Sequence, residues 1–99
     1  MADILTDRNS DYDGSPDGED DVQTAAGNII VTLSGTLGAA GRVPTMTMYS
    51  RSDNADFVGI HHMNKLGRFR ANLADGDEYY FSVTGIADGA SIDLAVADA

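Results

Sequence analysis

Hydrophobic and polar residues alternate along three segments of this chain with the two-residue period of a half-buried β-strand. The segments, with the residues expected to face the core, are 28–34 (Ile29, Val31, Leu33), 78–84 (Tyr79, Phe81, Val83) and 91–97 (Ile92, Leu94, Val96). Weaker alternation in residues 43–49, 57–63 and 68–73 completes six predicted strands. Pro44 fits only the start of a strand or an edge, because proline donates no ladder hydrogen bond.

Clusters of Gly, Asp and Asn separate these segments. Residues 35–41 are glycine-rich and predict a flexible turn, while the two Ala-Asp-Gly turns at 74–76 and 87–89 predict successive hairpins. The pattern favours an all-β protein, a small antiparallel β-sandwich of immunoglobulin-like or jelly-roll-like type.

The first 23 residues differ from the rest of the chain. They hold eight acidic residues and one arginine, a net charge of −7, and their few apolar residues show no period. Such a segment buries too little apolar surface to offset its ordering entropy. We therefore expect an irregular acidic N-terminal arm at 1–23 that lies outside the core, followed by a β-sandwich domain at 24–99.

Length and charge narrow the function classes. The 99 residues allow one domain, whose core is marginal and has no cysteine to brace it, so we expect oligomerisation to add stability. The net charge of −10 disfavours nucleic acid and anionic membranes as partners. No apolar run approaches the roughly 20 residues of a membrane span, and the start of the chain lacks signal-peptide regions.

Residues that carry chemistry are sparse, so we expect no enzyme, no catalytic residue and no bound cofactor. His61 and His62 are adjacent and should point to opposite faces of a strand, which prevents them from chelating one ion together. The one metal-like spacing is a candidate calcium loop, in which oxygen ligands alternate before Gly14. Its residues are Asn9, Asp11, Asp13, Asp17 and Asp20. The alternative is an acidic segment that is solvated or bound to a partner, because position twelve lacks the usual glutamate.

Three cations cluster within six residues: Lys65, Arg68 and Arg70. Arg68 and Arg70 should share one face of a strand. One interpretation is ordinary solubilising charge. The other is an interaction site for an acidic segment, such as the arm of a neighbouring subunit.

The order of strands and turns resembles small β-sandwich virion proteins of tailed phages, of the capsid decoration or cement type. The resemblance runs over residues 28–97 and is carried by the segments 31–37, 46–50, 69–76, 80–85 and 90–96. It implies a structural protein that binds the major capsid protein lattice on the virion exterior in many copies, as a homo-oligomer such as a trimer. Repeated weak contacts then stabilise the shell through multivalency.

The C-terminal part also resembles the β-rich prepeptidase C-terminal domains, through the cadence from Gly76 to Val83. This second resemblance implies an extracellular binding module that takes calcium or carbohydrate. Aromatic side chains gathered on one sheet face would favour it.

Overall fold

The computed structural model describes residues 2–17, 21–38 and 41–99, which contain nine strands and no helix. The strands are β1 (Ala2–Arg8), β2 (Tyr12–Asp13), β3 (Gln23–Ala26), β4 (Ile29–Thr36), β5 (Thr45–Arg51), β6 (Val58–Met63), β7 (Gly67–Ala71), β8 (Asp75–Thr84) and β9 (Ser91–Asp98). They form two antiparallel sheets packed face to face, so the predicted small β-sandwich is confirmed.

Sheet A has the order β1-β9-β4-β7, and sheet B has the order β2-β8-β5-β6. The short strand β3 also pairs with β8, nearer the start of that strand than β2 does. All nine residues predicted to face the core in β4, β8 and β9 are buried between the sheets. Met46 and Met48 of β5 fill the centre beside Phe81. Pro44 is also buried, and it lies just before β5, as expected for a residue that has no N–H to donate to the ladder.

The N-terminal segment is part of this sandwich. β1 pairs with β9 and places Leu5 in the core, where its side chain is 7% exposed. β2 pairs with β8, and Tyr12 packs against the core from the edge. The expectation that residues 1–23 lie outside the core is therefore wrong. Whether residues 24–99 fold alone is a separate question that truncation answers.

The two Ala-Asp-Gly turns form as predicted, with Gly76 and Gly89 at positive φ and hydrogen bonds from Asp77 N to Ala74 O and from Ala90 N to Ala87 O. The strands they join do not form hairpins, however. β7 and β9 belong to sheet A and β8 to sheet B, so each connection crosses between the sheets. The prediction of successive hairpins is wrong, because local turn chemistry does not specify which sheet the next strand enters.

Candidate functional site: the open side between β6 and β7

The two sheets are left open to solvent along the side where β6 and β7 run. β6 is the outer strand of sheet B and β7 is the outer strand of sheet A. Between them lies a groove of about 580 Å³, within the range of ligand-binding clefts. Its apolar lining residues are Ala55, Val58, Ile60, Phe69, Ala71 and Leu73, and its polar ones are Ser50, Arg51, Ser52, Asp56, His61, Arg70, Asn72 and Asp77.

The apolar wall of this groove on the sheet B side is unusually exposed. Val58 is 59% exposed and Ile60 is 42% exposed, and they are the large hydrophobic residues that the described part of the chain leaves most open to water. A register shift opposite Met48 and Tyr49 accounts for the position of Ile60, which has no partner on β5. Adjacent exposed apolar side chains at a sheet edge are typical of contact surfaces.

An aromatic stack adjoins the groove where both strands approach their connecting turn. The rings of His61 and Phe69 lie 3.8 Å apart between centroids at an interplanar angle of 14°. His62 lies on the opposite face, with its Nδ1 3.0 Å from the Thr47 hydroxyl. The prediction that the two imidazoles point to opposite faces is confirmed.

One member of the predicted cationic cluster, Arg70, lines the groove. Lys65 lies exposed in the turn between β6 and β7, and Arg68 and Arg70 are exposed on β7, whose intervening Phe69 packs against the core. Arg68 and Arg70 therefore share the outer face of sheet A, opposite Thr32 and Ile30 of β4. Within the described ranges the one ion pair is Arg51–Glu78, so none of the three cations is paired with a carboxylate there. Their role as a docking site stays a prediction.

The residues of the candidate calcium loop serve several separate structural purposes. The Asp11 carboxylate accepts a hydrogen bond from Ile86 N (3.1 Å), Asp13 belongs to β2, and Asp17 N donates to the Ser15 hydroxyl (3.2 Å). Asn9 is exposed, and Asp20 lies outside the described residues. Across the described ranges no three His, Asp or Glu side chains form a group that could hold a metal ion. Calcium binding by this loop stays an untested hypothesis beside the alternative of a solvated or partner-bound acidic segment.

A half-buried tyrosine, Tyr12, holds Asp21 against sheet B. The Tyr12 hydroxyl donates to the Asp21 carboxylate (2.7 Å), and Asp21 also accepts a bond from Ser15 N (3.0 Å). Burial, together with this carboxylate, raises the pKa of the Tyr12 phenol. These hydrogen bonds hold Asp21 beside β2 of sheet B, which the charge pattern alone did not predict.

A second cluster, on the outer face of sheet B, also escaped the sequence analysis. Tyr49 and Tyr80 are cross-strand partners and stack with centroids 4.7 Å apart, and Phe57 packs edge-on against Tyr80 at 4.9 Å. The Arg51 guanidinium lies 4.4 Å above the Phe57 ring. Burial, the neighbouring Tyr49 and the charge of Asp13 raise the pKa of Tyr80.

Together these features define a small antiparallel β-sandwich with one open, partly apolar side. Comparisons with protein-family models, with curated proteins and with solved structures found no match. No helix among the described residues is long and apolar enough to cross a membrane.

Proposed function

We propose that this protein is a non-enzymatic assembly module, and specifically a capsid decoration or cement protein that binds the major capsid protein lattice on the virion exterior in many copies. The observation that carries the proposal is the open β6–β7 side, where exposed Val58 and Ile60 border a groove lined in part by Arg70, a cation with no carboxylate partner among the described residues. Such a surface combines apolar contact area with charge that orients a partner. The virion setting itself rests on the resemblance in strand and turn order.

Self-association is part of this proposal. The chain buries its core without disulfides, and apolar surface buried between subunits would add the stability that a small domain lacks. Association as a homo-oligomer, with a trimer as the expected form, would also multiply weak contacts to a repeating lattice.

The test is co-sedimentation of the purified protein with undecorated tailed-phage heads, together with its mass in solution by light scattering. Saturable binding is expected, and the double variant Arg68→Glu/Arg70→Glu should lose it while melting like the wild type. Arg42→Glu is the matched control, since Arg42 is exposed in the β4–β5 connection and does not line the groove. A strictly monomeric protein that binds no heads would refute the proposal.

A second candidate function is an extracellular binding module, favoured by the aromatic cluster of Tyr49, Phe57 and Tyr80 on one sheet face. Flat aromatic surfaces contact the apolar faces of sugar rings. Pull-down on insoluble cellulose and chitin distinguishes the two candidates. Retention that is lost in Tyr49→Ala and kept in Arg68→Glu/Arg70→Glu would favour this module over capsid decoration.

A further inference from the structure

The free edges of the two sheets differ in regularity. Register shifts interrupt the pairing of β1 with β9, of β3 with β8 and of β6 with β5, so these outer strands are irregular, and the outer strand β2 has two residues only. The pairing of β7 with β4 runs without a shift from Ile29↔Ala71 to Leu33↔Gly67. Bulges hinder a further strand from adding to an edge. β7 is therefore the outer strand whose free edge is regular enough to accept one.

The groove lies where the side chains of an added strand would point. A strand next to β7 would extend sheet A by about 4.8 Å, and its side chains would alternate between the two faces. Those on the inner face would meet Phe69 and the exposed side chains of Val58 and Ile60. Those on the outer face would lie beside Arg68 and Arg70.

We infer that β7 accepts an extended segment of a partner protein as an additional strand, with apolar residues at alternate positions and carboxylates between them. This inference rests on the proposed assembly function and names the chemistry of the partner at the same side. Main-chain hydrogen bonds to the edge supply affinity, and the groove and the two arginines supply specificity.

Charge selects this occupant over a second copy of the same edge. Two β7 strands brought together would place Arg68 and Arg70 of both copies side by side, and like charges opposed across a ladder are destabilising. The chain's own acidic N-terminal segment is already engaged, since β1 pairs with β9 and β2 with β8. A strand from another protein, with carboxylates and apolar residues in alternation, would place its carboxylates beside Arg68 and Arg70 and its apolar side chains in the groove.

The experiment uses a synthetic eight-residue peptide in which Val and Asp alternate, added to the full-length protein. Binding is measured by fluorescence anisotropy, and amide exchange by nuclear magnetic resonance. Every second amide of β7, those not bonded to β4, should gain protection. Arg68→Glu/Arg70→Glu should weaken binding about five- to tenfold, because two exposed ion pairs are replaced by repulsion. Arg42→Glu should leave it unchanged.

Two control peptides separate strand addition from other binding. A peptide of the same composition with its Val and Asp residues in separate blocks should bind at least about tenfold more weakly, because it cannot present one apolar face. A peptide with N-methyl groups at alternate residues should not bind, since it cannot form the ladder. Equal binding of the N-methylated peptide would overturn strand addition.

Each remaining outcome also decides the question. If the peptide gives the amides of β7 no new protection from exchange, the inference of strand addition is overturned. If phage heads nevertheless bind through Arg68 and Arg70, the proposed function stands without strand addition. Protection of β7 that rises with protein concentration and needs no peptide identifies the occupant as a second copy, which likewise overturns it. If the peptide binds and protects every second amide of β7, but the protein does not bind phage heads, the result supports addition of a strand to β7 and rejects capsid decoration.

Discussion

Replacing Leu5 by alanine tests most directly whether the N-terminal segment belongs to the sandwich. Leu5 is 7% exposed and packs in the core from β1, which has a neighbouring strand on the β9 side alone. Leu→Ala substitutions in cores cost about 2 to 5 kcal/mol, depending on how far the site collapses. Because an outer strand can relax into the space, we expect a loss of about 2 to 3 kcal/mol, near the lower end of that range.

Urea unfolding followed by far-ultraviolet circular dichroism and tyrosine fluorescence measures this loss, since the chain has no tryptophan. Thr6→Ala is the matched control, because Thr6 is exposed on the same strand, and it should change stability by no more than about 0.5 kcal/mol. An unchanged m-value would show that the denatured state is unaffected. If Leu5→Ala unfolds at the same urea concentration as Thr6→Ala, β1 contributes no packing, and the arm lies outside the core after all.

Four further results are expected. A chain that begins at Thr24 should lose cooperative melting, because β9 and β8 each lose a neighbouring strand; unchanged thermal melting would contradict this. Gly14→Ala should destabilise by about 1 to 3 kcal/mol, because a Cβ there would overlap the Phe81 carbonyl oxygen, whereas Gly59→Ala meets ordinary contacts and serves as control in the same urea assay. The raised pKa values of Tyr12, Tyr79 and Tyr80 mean that the folded state keeps protons that the unfolded state releases. Stability should therefore be full below pH of about 10 and fall above it, less steeply in Tyr12→Phe, as urea midpoints across alkaline pH would show. Millimolar calcium should leave the melting temperature unchanged; a rise abolished by Asp11→Ala would establish the candidate calcium loop.

All six predicted strands form, as β4 to β9, and the inward-facing residues were predicted for the three strands with one clearly buried face. β4 and β9 lie inside sheet A and β8 inside sheet B, and alternate side chains of each strand are buried between the sheets. That burial imposes the two-residue period in the sequence. The inward positions of Val31, Phe81 and Leu94 could therefore be predicted from the pattern alone.

The N-terminal strands lacked that signal for a structural reason. β1 carries register shifts on both sides of Leu5, so the adjacent residues Ile4 and Leu5 both contact the core and no alternation appears. β2 has two residues, too few to show a period. In each case an irregular outer strand depends on a partner that is distant in sequence.

The candidate site could be predicted in part. The shared face of Arg68 and Arg70 follows from strand geometry, but the groove beside them requires β6 and β7 to end up at the edges of different sheets. The aromatic cluster likewise depends on the register that places Tyr49 opposite Tyr80. Long-range pairing of this kind is not encoded in local periodicity, which is why both features appeared first in the structure.

The acidic composition of the N-terminal region, which suggested a free arm, instead supplies hydrogen-bond acceptors. The Asp93 carboxylate binds the Asp7 amide, where the chain adopts a positive φ of 49°, and the Asp7 carboxylate in turn accepts from the Ser91 hydroxyl. Asp11 binds the Ile86 amide in the same way. Irregular strands leave some backbone N–H groups without a partner in the sheet, and carboxylates near the strand ends accept hydrogen bonds from these groups instead. Because this segment is held along both sheets, reaching a neighbouring subunit would require breaking these bonds, which leaves an acidic strand from another protein as the better partner for β7.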